Sequence, residues 1–262
     1  MITPQSINSW KKFSRNVRPK GCSLLKRLDE FPSSILVAGC QRSGTTVLSR
    51  VIRSSECIYD FCITDDDELD AALILSGHID YDNKGRHCFQ TTYLNECYPE
   101  YFDHDVSHKI IWVIRNPLSV VYSLLHNWTR EPLNNLFESC GVDDLTDLEI
   151  SRYQILGGLA ISRLRKACLA YAGKSRQVFE IINRLGIDRL IVVDYDDLVL
   201  RKEKILPMVY DFINVPYKLE YADMIHGRSI DKSDKLSRKE RRMIKEVCFP
   251  VYEETKKLVV RV

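Results

Sequence analysis

The sequence predicts an α/β fold: a single domain with a mainly parallel sheet of about four or five strands flanked by helices. Short apolar runs rich in β-branched residues alternate with longer segments of helical periodicity, which is the pattern of a parallel α/β sheet. The best strand candidates are continuous apolar runs, as expected for strands covered by helices on both faces: residues 35–38, 110–114 and 190–193.

The composition agrees with one folded unit. The chain has 262 residues, of which 45% are hydrophobic, and it contains no internal repeat or linker. We therefore assign residues 31–262 to one domain. Residues 1–30 form a basic N-terminal arm with seven Lys and Arg residues before the first acid, Asp29, and without the apolar segment of a secretory signal. We expect this arm to be solvated, and a mitochondrial transit peptide is the alternative.

Helical segments follow the predicted strands and fill the second half of the chain. Residues 117–127 begin with a proline in the first turn, and residues 197–214 are interrupted by Pro207. Residues 57–108 are less periodic and predict helices and loops over the carboxyl edge of the sheet, where open α/β sheets bind ligands. The other predicted helices are residues 45–53, 148–172, 174–185 and 237–257.

Charge, hydropathy and cysteine usage argue against several classes of protein. No apolar run approaches the roughly 18 residues of a membrane span, and a net charge of +2 is too small for a general nucleic-acid binder. The nine cysteines include no Cys-x-x-Cys pair, which favours reduced thiols and a cytoplasmic location. His104 and His108 lie in a predicted loop without the glutamate of a zincin motif, so we predict no metal site.

The segment from Gly39 to Thr46 predicts a phosphate-binding loop. It follows a buried strand and opens a helix, so that successive backbone N–H groups and the positive helix end converge on one point. Gly39 and Gly44 have the Walker A spacing, but Thr45 stands where a nucleoside triphosphatase needs lysine. Arg42 lies inside the turn and offers a planar fork of donors to two oxyanions. We therefore expect an anionic nucleotide other than a triphosphate.

The run Arg42-Ser43-Gly44-Thr45-Thr46 resembles the 5′-phosphosulfate loop of sulfotransferases that use 3′-phosphoadenosine 5′-phosphosulfate (PAPS). The resemblance implies that all five residues bind the nucleotide. It also implies that Arg42 acts in catalysis, by stabilising negative charge as the sulfuryl group leaves the donor.

Two further segments resemble motifs of the same family. Arg115 ends a predicted strand and Ser123 lies eight residues further on, which is similar to the family's 3′-phosphate motif. Tyr195 follows another strand in a run similar to the family's Tyr-Glu-Asp-Leu, with Asp196 in the glutamate position, which implies a contact with the nucleotide. Without the resemblance, Arg115 is explained equally well as a salt-bridging residue at the end of a strand. The alternative for Tyr195 is a core tyrosine that caps a strand.

A basic loop before the last predicted helix contains Arg228, Lys232 and Lys235. Sulfotransferases often cover the adenosine 3′-phosphate with such a loop, so the resemblance implies nucleotide binding by these three residues. A solvated loop that leads to a helix N-cap at Ser237 explains the same sequence.

The general base is expected among four consecutive acids, Asp65, Asp66, Asp67 and Glu68, which follow the loop arginine by 23 to 26 residues. Family members use a histidine or a glutamate, and one branch places its acid at about this distance. Repulsion between adjacent carboxylates raises the pKa of one member, which suits a base near neutral pH. The alternative is that Thr64 or Asp65 caps the helix that runs through residues 69–75, while the other acids favour its positive end. His87 is a second candidate base.

These observations predict a PAPS-dependent sulfotransferase that transfers a sulfuryl group to an acceptor hydroxyl or amine without a metal. A degenerate P-loop kinase or nucleoside triphosphatase, or a non-catalytic nucleotide-binding scaffold, is the alternative function. The sequence leaves the acceptor and the oligomeric state open.

Overall fold

The structure is a computed structural model that describes residues 7–18, 23–61, 63–81, 85–104, 107–226 and 231–259. Within these ranges the chain forms the strands β1 (Ile35–Gly39), β2 (Cys88–Gln90), β3 (Lys109–Ile114) and β4 (Leu190–Asp194). The same ranges contain the helices α1 (Trp10–Asn16), α2 (Thr45–Arg53), α3 (Asp67–Leu75), α4 (Pro117–His126), α5 (Arg130–Cys140), α6 (Asp147–Leu156), α7 (Arg163–Leu185), α8 (Tyr195–Leu200), α9 (Lys202–Phe212) and α10 (Arg238–Lys256).

The four strands form one parallel sheet in the order β2-β1-β3-β4. β1 and β3 pair along the whole of β1, from Ile35 opposite Lys109 to Gly39 opposite Val113. β4 continues the sheet beside β3, and β2 pairs with the first part of β1. Because all strands run in the same direction, the loops that follow their carboxyl ends meet at one edge. The predicted fold class and the parallel sheet are confirmed.

Alternate residues of each strand face two different apolar cores. Leu36 and Trp112 point into a core that also contains residues of α1, α3, α4, α5, α7 and α10. Val37 and Ile111 point into a second core, formed with α2, α8 and α9. Burial on both faces is the reason why these strands are continuous apolar runs rather than alternating ones.

The strand β2 corrects the prediction of helices and loops for residues 57–108. All three of its residues, Cys88, Phe89 and Gln90, are buried. A strand of three residues is too short to show a periodicity, which explains why the pattern does not reveal it. α3 and a 3-10 helix (Thr92–Phe102) occupy other parts of this region, as expected.

The predicted break between residues 172 and 174 is wrong. α7 passes through Gly173 without interruption. A Cβ atom on Gly173 would lie 1.5 Å from the carbonyl oxygen of Cys140, so this glycine lets α5 pack closely on α7. The helix predicted over residues 148–172 is broken instead at Gly157, where α6 ends. The φ of Gly157 is 58°, in the region that favours glycine.

The interruption predicted at Pro207 is also displaced. Pro207 lies inside α9, whereas the chain leaves helical geometry at Arg201, where φ is −134° and ψ is 37°. Proline removes one N–H from the helical hydrogen-bond pattern. At this position the helix continues despite that loss.

The N-terminal segment packs against the domain, which corrects the expectation of a solvated arm for the described residues. α1 begins after Ser9, whose Oγ accepts a hydrogen bond from the backbone N–H of Lys12 at 3.4 Å. Ile7, Phe13 and Val17 are buried at helical spacing in the core that contains Trp112. The basic residues of α1 lie on its exposed face. The division of the chain at residue 31 stays a prediction.

The side chains considered as metal or disulfide partners have other environments. Seven described cysteines are free thiols: Cys40, Cys57, Cys88, Cys97, Cys140, Cys168 and Cys248. His104 and His108 both approach the carboxylate of Asp29, at 3.0 and 3.6 Å. In the part of the chain that the structure describes, no three potential His, Cys, Asp or Glu ligands come together. Within the same residues, no helix is both long and apolar enough to span a bilayer.

Candidate active site

A cleft of about 600 Å³ opens at the carboxyl edge of the sheet. Each of the four strands contributes to it at or directly after its end: Gln90 from β2, Arg42 after β1, Arg115 after β3 and Tyr195 after β4. The parallel arrangement of the strands therefore brings together residues that are more than 100 positions apart in the sequence.

Two glycines give the phosphate loop its shape. Gly39 has a φ of 136°, and a Cβ atom there would lie 2.3 Å from the carbonyl oxygen of Val113. Gly44 has a φ of 98°, and a Cβ atom there would lie 2.2 Å from Cδ2 of Tyr195. A larger residue at either position would clash and would adopt a strained backbone conformation. The loop therefore lies directly on β3 and on the Tyr195 ring.

Arg42 lies at the tip of this loop with a φ of 72°, an unusual conformation for a residue with a side chain. Its Nε donates a hydrogen bond to Oγ of Ser123 at 2.9 Å. Partial burial and the nearby charge of Arg115 both lower the pKa of Arg42. Two guanidinium groups that repel each other across a cleft create a site in which a polyanion is stabilised.

The other residues of the predicted loop differ in their access to the cleft. Thr45 and Thr46 line it, and Oγ1 of Thr45 accepts a hydrogen bond from Nε2 of Gln90 at 3.2 Å. Ser43 is fully buried and does not line the cleft, and its hydroxyl has no hydrogen-bond partner among the described residues. Its backbone N–H bonds to the carbonyl of Cys40 at 3.1 Å, which closes the turn.

Arg115 is held by α8, which follows the neighbouring strand. Its Nε donates to Oδ1 of Asp196 at 3.2 Å, and its guanidinium carbon lies 4.9 Å from the centroid of the Tyr195 ring. The other oxygen of Asp196 accepts from the backbone N–H of Asn116 at 3.0 Å. Asp196 thus fixes both the side chain and the backbone at the end of β3. The sequence comparison placed Asp196 at the glutamate position of a family motif but did not predict that it positions Arg115.

Ser123 links α4 to the phosphate loop. It lies on α4, two turns beyond the start of that helix, with 9% of its surface exposed. Its Oγ accepts from Arg42 and also from Nδ2 of Asn127, at 2.9 and 3.1 Å. The structure thus brings Arg42, Arg115, Ser123 and Tyr195 to the same cleft.

The four predicted acids have four different environments. Asp65 is exposed and does not line the cleft. Asp66 lines the cleft and is the N-cap of α3, accepting from the backbone N–H of Leu69 at 3.1 Å. Asp67 is buried and does not line the cleft. Burial opposes the ionisation of Asp67, but hydrogen bonds and charges from two arginines prevail and lower its pKa.

Those two arginines, Arg50 and Arg53, pair with the Asp67 carboxylate at 2.5 and 3.0 Å. A carboxylate stabilised in this way is a poor proton acceptor. The N-cap of α3 is Asp66 rather than Thr64 or Asp65 as predicted, and Asp67 is engaged in ion pairs.

Glu68 is the acid of the cluster that lies buried against the cleft with a raised pKa. It lines the cleft, and its two oxygens accept hydrogen bonds from Oγ1 of Thr92 and from Nε2 of Gln90, the latter at 2.9 Å. Burial, together with the negative charge of Asp66, raises the pKa of Glu68 to about 7 although the Thr92 hydrogen bond opposes this. A carboxyl group with this pKa exchanges protons near neutral pH.

The remaining candidates lie elsewhere. His87 is fully buried at the opposite end of β2 from Gln90, where its ring stacks on Phe89 and its Nδ1 lies 3.2 Å from the carbonyl oxygen of Tyr59. It does not line the cleft. Lys235 is exposed and does not line the cleft either. Arg228 and the side chain of Lys232 lie outside the described residues.

Sequence reasoning missed the contribution of the N-terminal helix to the cleft. Trp10 of α1 lines the cleft, and its Nε1 donates to Oδ2 of Asp66 at 2.8 Å. Arg18 follows α1, lines the cleft as well and donates to the backbone carbonyl of Tyr93. The apolar residues of α1 recur at helical spacing, a signal that could have shown that this segment packs.

Residues 32–246 match the family model described as Sulfotransferase domain. Similar solved structures include a sulfotransferase from Alicyclobacillus acidocaldarius, with a TM-score of 0.54 and 15% identity over 87% of this chain and 96% of that chain. The sulfotransferase domain of the curacin biosynthetic pathway gives a TM-score of 0.51 with 14% identity over 87% of this chain and 96% of that chain.

The mouse sulfotransferase SULT7A1, solved in complex with PAP, gives a TM-score of 0.51 with 15% identity over 91% of this chain and 92% of that chain. These structures share the fold, whereas comparison with the curated proteins gave no match. The family match favours the predicted sulfotransferase over the kinase and scaffold alternatives. Since that match covers most of the chain, the protein belongs to the sulfotransferase domain family and is an enzyme of that class.

Proposed function

We propose that this enzyme takes the sulfuryl group from PAPS and transfers it to an acceptor hydroxyl or amine. The observation that carries the proposal is the convergence of Arg42 and Arg115 on one cleft, with the hydroxyl of Ser123 bonded to Arg42. PAPS carries anionic groups at both its 5′ and its 3′ positions, and two separated arginines suit such a ligand. PAP, adenosine 3′,5′-bisphosphate, is what remains of PAPS after the sulfuryl group has left. The complex of the mouse relative with PAP therefore supports the same donor.

On the donor side, the amides at the start of α2 and the side chain of Arg42 would bind the 5′-phosphosulfate. Arg115, held by Asp196, and Ser123 would bind the 3′-phosphate. As the sulfur–oxygen bond to the 5′-phosphate breaks, negative charge grows on that phosphate. Preorganised donors stabilise such charge because they need no reorganisation during the reaction.

On the acceptor side, Glu68 would take the proton of the attacking hydroxyl. The acceptor oxygen forms a new bond to sulfur, PAP leaves with the electrons of the broken bond, and the proton remains on Glu68. The raised pKa of Glu68, to about 7, suits this step. Gln90 and Thr92 fix the orientation of its carboxylate. Charge stabilisation comes from arginine and backbone N–H groups, so the proposed mechanism uses no metal.

Two further assignments complete the proposal. Lys235, together with Arg228 and Lys232, is proposed to cover the nucleotide by analogy with other sulfotransferases. A cytoplasmic location is proposed from the seven free thiols of the described chain.

The test is to incubate the enzyme and extracts of candidate acceptors with PAPS labelled in its sulfuryl group. Mass spectrometry should then find labelled products that each gain one sulfuryl group, together with an equal amount of PAP. The Arg42→Gly variant serves as the control, because it keeps the loop and lacks the guanidinium. Product formation at the same rate by this control, or label transfer only from ATP, would contradict the proposal.

A further inference from the structure

The order of the strands gives the cleft two ends. Arg115 follows β3 and Tyr195 follows β4, both on one side of β1 and its phosphate loop. β2 lies on the other side of β1 and ends at Gln90, which donates to Glu68. The proposed general base therefore lies at the β2 end, away from the proposed 3′-phosphate site. We name this part of the cleft the acceptor end; the residues that line it are Trp10, Lys11, Ser14, Arg18, Asp66, Glu68, Gln90, Thr92, Tyr93 and Asn95.

Among the described residues that line the cleft, the aliphatic side chains are those of Val47 on α2 and of Pro132 and Leu136 on α5, and none belongs to the acceptor end so defined. Two of its side chains are aromatic, those of Trp10 and Tyr93, whose ring centroids lie 5.8 Å apart. The other side chains carry hydrogen-bonding groups and include Ser14, Arg18, Glu68, Gln90, Thr92 and Asn95.

The charges of the acceptor end are balanced. Lys11 and Arg18 contribute two cations, and Asp66 and Glu68 contribute two acids. Arg18 pairs with Glu96 at 3.4 Å, and Asp66 accepts a hydrogen bond from Trp10. A balanced set of charges gives no net attraction to an anionic or cationic acceptor.

These properties oppose an apolar acceptor and favour a polyhydroxylated one. A steroid or an alkyl alcohol would cover the Lys11 ammonium and the Ser14 hydroxyl, which have no hydrogen-bond partner among the described residues, and would offer them none, which opposes binding. A sugar ring offers several hydroxyls that both donate and accept, and its C–H face packs on an aromatic ring such as that of Trp10.

We infer that the acceptor is a hydroxyl group of a neutral sugar unit, an inference that rests on the proposed transfer from PAPS. Four of the lining residues, Trp10, Lys11, Ser14 and Arg18, precede the part of the chain that matches the family model, residues 32–246. The wall of the acceptor end that is formed by α1 thus lies outside the matched range, and the inference assigns acceptor specificity to it.

The inference is tested with a defined panel of acceptors and PAPS. The panel contains methyl glycosides of glucose, galactose, mannose, N-acetylglucosamine and N-acetylgalactosamine, with 2-naphthol and 1-dodecanol as apolar competitors. Sulfated products are located by tandem mass spectrometry, and PAP binding is measured separately by calorimetry. We expect at least one glycoside to be sulfated with a kcat/KM at least about tenfold above both apolar alcohols, the discrimination that one unpaired polar group provides.

The outcomes separate this inference from the proposed function. If PAP binds and the apolar alcohols are sulfated as well as the glycosides or better, or if no glycoside is sulfated, the sugar assignment is overturned while the donor assignment stands. If PAP does not bind, the proposed function itself fails.

A pair of variants at Trp10 tests the specificity wall. Trp10→Phe keeps an aromatic face and loses the hydrogen bond to Asp66, whereas Trp10→Leu keeps apolar volume without a ring. We expect Trp10→Leu to raise the KM of the best glycoside about tenfold and Trp10→Phe to raise it less than about threefold, with PAP affinity and melting temperature unchanged between the two. Equal KM values for Trp10→Leu and the wild type would overturn the role of α1.

Discussion

Replacing Glu68 by glutamine keeps the shape of the side chain and removes its ability to take up a proton. If Glu68 accepts the proton of the acceptor, the single-turnover rate should fall by roughly 100-fold or more. The variant should bind PAP as the wild type does, because glutamine keeps the shape of the side chain and the proposed 3′-phosphate ligands, Arg115 and Ser123, lie on the other side of the loop. In the wild type, kcat/KM should rise with pH and level off above about pH 7, since burial raises the pKa of Glu68 to about 7.

The same substitution should change stability in a direction that depends on pH. Below about pH 4.5, the ordinary pKa of this carboxyl, Glu68 is protonated in both the folded and the unfolded chain. Between pH 4.5 and 7 the unfolded chain ionises first, so folded stability is progressively lost. Ionising Glu68 in the folded state costs roughly 3 kcal/mol at higher pH. Glutamine has no such cost. Its NH₂ group must, however, face Gln90 or Thr92, both of which donate hydrogen bonds to Glu68, and this mismatch reduces the gain in stability by roughly 1 kcal/mol.

We therefore expect Glu68→Gln to be more stable than the wild type by about 2 kcal/mol at pH 8 and not at pH 4.5, measured by urea unfolding. The matched control is Asp66→Asn, which should keep the rate within about threefold because Asp66 is engaged in capping α3. Full activity in Glu68→Gln, or equal rate losses in both variants, would show that Glu68 is not the base.

Three further substitutions have definite expected outcomes. Gly44→Ala should abolish PAP binding in calorimetry and destabilise the fold by about 2 kcal/mol or more, because its Cβ would lie 2.2 Å from the Tyr195 ring; near-normal affinity would show that the loop adapts. Arg42→Gly should retain stability, since glycine tolerates the φ of 72° there, yet lose about 2–4 kcal/mol of transition-state stabilisation in kcat/KM. Survival of the rate within threefold would make Arg42 structural. Asp196→Asn should weaken PAP more than adenosine 5′-phosphosulfate, because it weakens the hold on Arg115; equal losses would refute that positioning role.

The sheet could be predicted because its main strands are buried on both faces, and burial leaves a continuous apolar run in the sequence. The phosphate loop could be predicted for a different reason: Gly39 and Gly44 lie where the chain passes within van der Waals distance of Val113 and Tyr195, and only glycine fits. β2 could not be predicted, since three residues carry no measurable period. Gly173 does not mark a helix end, because its role is close helix packing, which depends on Cys140 and not on local sequence.

The candidate base illustrates a different limit. The sequence placed four acids in one cluster, but which of them faces the cleft depends on residues far along the chain. Arg50 and Arg53 engage Asp67, and Trp10 engages Asp66. Gln90, from the strand that the pattern did not reveal, donates to Glu68. The choice of Glu68 among four neighbouring carboxyls is therefore a result of tertiary structure.

The binding of the sulfuryl donor in this cleft is tested most directly by calorimetric titration of the wild type and of Arg115→Ala with PAP, adenosine 5′-phosphate and ATP. We expect the wild type to bind PAP more tightly than ATP without added magnesium. Arg115→Ala should lose about 2–3 kcal/mol of PAP affinity, roughly 100-fold, and keep its affinity for adenosine 5′-phosphate, which lacks the 3′-phosphate. Tighter binding of ATP than of PAP, or an equal loss for PAP and adenosine 5′-phosphate in the variant, would contradict the proposed donor site.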